Sequence, residues 1–297
     1  MHYLEFLEAE ARKNNSIVCF GVDPQISALP AHYAAWGIKG FVPFFQHIVK
    51  EMLGRKIGVG MFKPNEGYYV VHDEPRGADK HHHGSNVLDE ILTIIEHAFP
   101  GAITNIDVKR GDIGPSSKNY AVQIFENWGA KAMTISGYMG DDSIAPFGEY
   151  CVNDDKLVYA LCRTSNAGAI SQGKKLANGL TIYEDMAQNI IGWAEKYPGM
   201  GAVVGGVSLH ELKVLAETFA VTKTPILIPG AGGQGGSAAE IADVLREVGY
   251  PLYLARINSS SGITHPWAKK KLPAPENYAE VCVNEIEKMN TEIGPLF

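Results

Sequence analysis

The 297 residues carry 26 Lys and Arg against 33 Asp and Glu, a formal net charge of −7, with 45% hydrophobic and 20% charged residues. This is the composition of an ordinary folded chain, which excludes disorder, and its acidic balance gives a polyanion such as nucleic acid no electrostatic reason to bind. No apolar run reaches the ~18 residues of a membrane span. The four cysteines, Cys19, Cys151, Cys162 and Cys282, are widely spaced and form no CxxC pair, so they read as buried thiols of a reducing, cytoplasmic compartment.

The chain opens with "MHYLEFLEAEARKNN", where acids and bases run among the apolar positions, so an amphipathic helix is expected and not a signal peptide. Short apolar runs then recur, each followed by Gly, Pro, Asn or a charge: SIVCFGV (16–22), IGVGMF (57–62), AITNIDV (102–108), AMTIS (132–136), LVYALC (157–162), AVVGGV (202–207), PILIP (225–229) and PLYLARI (251–257). Helical patterns lie between them, among them FVPFFQHIVKEML, NVLDEILTIIEHAF, YAVQIFENWG, TIYEDMAQNIIGWAEKY, LHELKVLAETF and AAEIADVLREVG. "KLPAPENY" reads as a turn into a last helix. Strands alternating with helices predict parallel pairing with right-handed crossovers, and eight such units predict a (β/α)8 TIM barrel, a single α/β domain over residues 1–297 with an N-terminal helix. A doubly wound open sheet is the rival, because alternation alone does not establish closure. "HDEPRGADKHHHGS" (72–85) and "CVNDDK" (151–156) read as polar loops. His81, His82 and His83 are expected to point in different directions and to be solvated, with no metal, and "KKK" (269–271) reads as a surface run.

The polar residues cluster at the carboxyl ends of the strand candidates, where parallel barrels and open sheets both place their sites. Asp23 follows CFGV, Lys63 follows VGMF, Ser165 follows LCRT, and the glycine loop PGAGGQGG (229–236) follows ILIP. In "NIDVKRGDIG" (105–114), Asp107 and Lys109 lie two apart and so share one face of a strand, with Asp112 past its end. Lys63 from the preceding strand would complete an alternation of acid and base, each charge offsetting its neighbour's desolvation. The glycine loop leads into SAAEIADVLREV with Ser237 as N-cap, an arrangement that can cradle a phosphate on backbone N–H groups. "RTSNAGA" (163–169) and "SGYMGDDSIAPF" (136–147) supply hydroxyl and amide groups, which turn chemistry would explain equally well.

Together "NIDVKRGDIG", "FGVDP", "MFKPN", "GYMGDDSIAPF", "RTSNAGA" and "PGAGGQGG" resemble the orotidine 5′-phosphate decarboxylase family, in particular its longer bacterial branch, with matches from about residue 17 to 263. The resemblance implies a homodimeric barrel that converts orotidine 5′-monophosphate to uridine 5′-monophosphate and CO2, the last step of de novo pyrimidine nucleotide synthesis, with no metal or organic cofactor. It implies that Lys63, Asp107 and Lys109 form a charged array, that Lys109 is the proton donor, and that Asp112 and Ser116 serve the neighbouring subunit's site. By the same resemblance Asp23 contacts ribose, Ser165 the pyrimidine, and Gln234 with Gly235 the phosphate. One departure stands out: where the family has a serine-arginine-glycine run after strand eight, "INSSSGI" puts Ser261 in the arginine's place. Arg256, His265, or backbone N–H groups with Ser260 and Ser261 are the candidates to hold phosphate instead. A second departure, Ala167 where the branch often has proline, changes only loop stiffness. The alternatives are a metal-dependent phosphosugar lyase or aldolase of the same superfamily, a Schiff-base aldolase, and a non-catalytic nucleotide-binding protein.

Overall fold

Eight strands, β1 (Val18–Gly21), β2 (Met61–Lys63), β3 (Asn105–Arg110), β4 (Ala132–Ile135), β5 (Leu157–Arg163), β6 (Met200–Val204), β7 (Ile226–Pro229) and β8 (Ala255–Ser259), form one sheet in a computed structural model that describes residues 3–231 and 236–297. Their order is β2-β1-β8-β7-β6-β5-β4-β3, and every neighbouring pair is parallel. The two outer strands meet as well: Phe62 bridges Thr104 and Asn65 bridges Asp107, with the Asp107 N–H donating to the Pro64 carbonyl at 2.9 Å. That seam makes the sheet a nearly closed (β/α)8 barrel and removes the open-sheet rival.

The strands are apolar along nearly their whole length because both faces are covered, by barrel interior on one side and helices on the other. The helix Phe41–Arg55, for example, buries Phe41, Phe44, Phe45, Ile48 and Met52 at helical spacing. Thr181 and Ser237 close capping boxes with Glu184 and Glu240, so Ser237 is the N-cap the sequence suggests. Among the described residues no helix is long and apolar enough to cross a membrane.

Several expected boundaries move, among them the strand expected at 57–62, which is confined to Met61–Lys63. Residues 251–257 do not form one strand: Pro251 leads into a 3-10 turn, Leu252–Leu254, and the ladder begins at Ala255 and runs to Ser259. "GDDSIAPF" is not a loop beyond Gly140, since Asp141–Asn153 is a helix whose first turn carries Asp141 and Asp142 where the dipole favours acids. That helix absorbs the first half of the polar stretch at 151–156. Within 72–85, Asp73–Glu74 pairs antiparallel with His81–His82, and a helix, His83–Ala98, starts at once. The His81 and His83 rings stack with centroids 3.8 Å apart, so these two imidazoles point together and not apart as expected for an extended loop. Among the described residues there is no group of three or more His, Cys, Asp or Glu that could hold a metal ion.

Arg256 sits at the opposite end of the barrel from the site described below. It is fully buried near the start of β8, and its guanidinium donates to the carbonyls of Gly60 (3.0 Å), Tyr253 (2.8 Å), Ala255 (2.8 Å) and Leu7 (3.0 Å). The planar fork thereby ties the N-terminal helix, Tyr3–Asn14, to the floor of the barrel. Arg256→Lys keeps the charge but loses the fork, leaving buried carbonyls without donors. The expected loss in urea unfolding is about 3 kcal/mol.

Candidate active site

The carboxyl ends of β2 to β4 bring four polar side chains together, and a break in regular strand geometry is what converges them. The β3–β4 register runs Ile106–Met133 and then Arg110–Ile135, so β3 spends four residues where β4 spends two. Lys109 takes up this bulge with φ +48°, the left-handed region that a non-glycine residue enters only when its surroundings hold it there. Alternation alone is therefore not what joins Asp107 and Lys109; the bulge turns Lys109 back so that its Nζ donates to Asp107 Oδ1 at 2.5 Å. Lys63, the last residue of β2, donates to Asp107 Oδ2 at 2.8 Å, and the Thr134 hydroxyl from β4 donates to Oδ1 at 2.7 Å.

The cluster is buried at one end and open at the other. Lys63 and Asp107 are 4% and 8% exposed, whereas the Lys109 side chain is 45% exposed. Burial alone would raise the Asp107 carboxyl, but Lys63 and Lys109 outweigh it and hold the group below the usual carboxylate range. For Lys63 burial works against the charge, and the carboxylates of Asp107 and Asp23 reverse it, raising the ammonium above its ordinary value. Both groups are thus ionised at neutral pH. The array presents a Lys109 ammonium anchored from behind by a carboxylate that cannot readily take its proton.

Asp23 follows β1 and accepts from the Asn65 N–H at 3.1 Å. The neighbouring Val22 carbonyl accepts from the buried Tyr69 hydroxyl at 2.6 Å, which pins this strand end to the segment after β2. Ser165, half-buried after β5, lines a cavity of about 230 Å3 with Arg163, Thr164, Asn166, Gly205 and Glu211. Gly205 leaves room for it: a Cβ there would lie 3.1 Å from Ser165.

Asp112 does not join the lysines within its own chain. Its Oδ1 accepts from the Ile113 N–H at 2.7 Å, and its backbone is held by Ser117, whose hydroxyl donates to the Asp112 carbonyl at 2.7 Å. Ser116, half-buried, lies in the first turn of the helix Gly114–Val122 that follows. Gln234 and Gly235 lie outside the described residues.

At the end of β8, Ser260 is half-buried and packs so closely on Gly21 that a Cβ at residue 21 would overlap its hydroxyl, while Ser261 is exposed and starts a one-turn helix, Ser261–Thr264. Two of the candidates to replace the missing arginine fail. Arg256 is committed to carbonyls at the barrel floor, the opposite end. His265 is buried against the Asp23 carbonyl, with Nε2 3.3 Å away, and burial pushes its pKa down to about 4, so it carries no charge for a phosphate at neutral pH. Lysines nonetheless reach this end: Lys269 and Lys270 line a cavity of about 600 Å3 together with Ala231, Gly236, Ser259 and Gly262. The "KKK" run is in this respect more than a remote surface feature.

Thr134 and Tyr69 escaped sequence reasoning. Thr134 did leave a signal, since it is the one polar residue in the strand Ala132–Ile135, whose positions are all buried, and a buried hydroxyl needs partners.

A parallel barrel with an ionised array at the carboxyl ends of adjacent strands is the arrangement of a (β/α)8-barrel enzyme. A sequence model described as the orotidine 5′-phosphate decarboxylase / HUMPS family matches residues 77–253. The orotidine 5′-phosphate decarboxylase of Ralstonia nicotianae is 35% identical over 236 residues, covering 80% of each chain, and that of Aromatoleum aromaticum is 33% identical over 270 residues, covering 90% of this chain and 92% of its own. The structure of the Leishmania donovani OMP decarboxylase superposes with a TM-score of 0.69 at 25% identity, covering 98% of this chain and all of that one. The chain belongs to the orotidine 5′-phosphate decarboxylase family.

Proposed function

We propose that this chain decarboxylates orotidine 5′-monophosphate to uridine 5′-monophosphate in pyrimidine nucleotide synthesis, with Lys109 as the proton donor and without metal or organic cofactor. Family membership supports the reaction, and the Lys63–Asp107–Lys109 array is the observation that carries the assignment of roles. The bond from C6 to the carboxyl carbon breaks, CO2 leaves, and the electron pair stays on C6. No electron sink adjoins that carbon, so the pair must be stabilised electrostatically and then protonated. The Lys109 ammonium does both, giving its proton to C6 and regaining one from solvent. Asp107 holds the Lys109 side chain in place until then, and Lys63 keeps Asp107 ionised. Asp107 beside the substrate carboxylate would crowd like charges in the ground state, and the role we assign to the array is preorganised stabilisation of charge at C6.

The remaining roles are part of the same proposal: Asp23 to the ribose, Ser165 to the pyrimidine, and Gln234, Gly235, Ser260 and Ser261 to the phosphate. The metal-dependent alternative is disfavoured because both Asp107 oxygens already accept from ammonium groups, which a divalent ion would have to displace. The buried free thiols fit a reducing, cytoplasmic compartment, and one barrel domain accounts for the chain. Purified protein should release UMP and CO2 in equal amounts from orotidine monophosphate, and should not cleave a keto-sugar phosphate supplied with Mg2+. The reverse pattern would overturn the reading. Arg256→Lys should leave the KM for orotidine monophosphate unchanged.

The functional unit we propose is a homodimer in which Asp112 and Ser116 complete the partner's site; this agrees with the failure of Asp112 to reach Lys109 within one chain. Mixing Lys109→Ala with Asp112→Ala protein, each nearly inactive alone, should then restore up to about a quarter of wild-type activity, because half the dimers are mixed and each mixed dimer has one intact site. Sites confined to single chains would restore none.

A further inference from the structure

We propose that Thr134 is a positioning residue that aims the Lys109 ammonium by way of Asp107; the proposal rests on the decarboxylase reading above. A hydroxyl has one proton and two lone pairs, and Thr134 spends all three. Its Oγ1 accepts from the N–H groups of Val108 (3.0 Å) and Lys109 (3.0 Å), and donates to Asp107 Oδ1 (2.7 Å). With both lone pairs engaged by backbone donors that cannot turn away, the proton has one direction left, toward the carboxylate. That same oxygen, Oδ1, receives Lys109 Nζ at 2.5 Å, so the hydroxyl and the ammonium are held on one atom.

The bulge explains why a hydroxyl is needed here. The register jump between Ile106 and Arg110 draws the intervening N–H groups away from regular pairing with β4, and Thr134 supplies the acceptor they would otherwise lack. Repairing the bulge and orienting the acid–base pair are therefore one act of one side chain. Thr134 is 1% exposed, and its branched Cβ on a strand restricts χ1, so the hydroxyl does not wander. It acts through Asp107 and Lys109 and needs no contact with substrate.

Thr134→Val removes the hydroxyl at nearly constant shape, and Thr134→Ser retains it. For each, kcat and KM for orotidine monophosphate are measured with the thermal midpoint. Affinities are also measured for UMP and for a uridine monophosphate bearing an anionic oxygen at C6, a mimic of charge at that carbon. Valine should lower kcat by about 10- to 100-fold and weaken the anionic nucleotide by a similar factor, with KM and UMP affinity little changed. Serine should recover most of both. Wild-type kcat and analogue affinity in Thr134→Val would overturn the proposal, as would serine and valine falling together in step with their thermal midpoints. A wild-type protein that neither turns over orotidine monophosphate nor binds either nucleotide would instead refute the decarboxylase reading, and with it this role.

Discussion

Lys109→Ala is expected to lower kcat for orotidine monophosphate by about 10,000-fold or more, since one change removes both the charge facing C6 and the proton that ends there. The loss would be read as the decline in orotidine monophosphate absorbance at saturating substrate. Backbone strain does not confuse the result: Lys109 holds φ +48°, and alanine tolerates that conformation no worse than lysine does. Removing a side chain that is 45% exposed leaves Asp107 still bound by Lys63 and Thr134, so the fold should survive with nearly wild-type thermal stability. Activity within tenfold of wild type would remove Lys109 as proton donor.

Asp107→Asn is expected to cost both activity and stability. It strands Lys63, 4% exposed, without its counter-charge, and breaking a buried pair in this way costs about 3–5 kcal/mol. The pH dependence follows from the directions of the two shifts. The Asp107 carboxyl lies below its unfolded value, so its contribution is complete above about pH 4 and is lost as pH falls through the folded value. The Lys63 ammonium lies above its unfolded value, so its contribution is complete below about pH 10 and is lost as pH rises through the folded value. As pH falls from about 9 to 5 the gap in unfolding free energy between wild type and variant should not shrink, because the wild-type pair stays fully ionised while the stranded Lys63 of the variant becomes costlier to keep buried, and it should narrow only as the wild type is acidified below about pH 4. A gap already shrinking at pH 6 would contradict the depressed carboxyl.

Much of this barrel was legible because its signal is periodic: apolar runs ending in polar residues, spaced by amphipathic helices, imply parallel strands whatever their contacts. The boundaries at 57–62 and 251–257 misled because apolar content marks burial and not pairing, and Pro251 sends its apolar neighbours into a 3-10 turn. Asp107, Lys109 and Lys63 were legible as a set, since strand ends in a barrel converge. The means of convergence was not. Nothing in "NIDVKRGD" announces that Lys109 is left-handed, because the bulge is set jointly by β4 and by a threonine 25 residues away. Arg256 and His265 misled for a related reason. A cation near a strand end in sequence can lie at either end of the barrel, and a histidine's charge depends on burial that residue type does not reveal.

The central claim is that the ammonium of Lys109, held by Asp107, carries out decarboxylation that needs no metal. The most direct test is orotidine monophosphate turnover by wild-type protein stripped with EDTA and assayed in its presence. The account predicts undiminished conversion to UMP. Activity abolished by EDTA and restored by Mg2+ would contradict it.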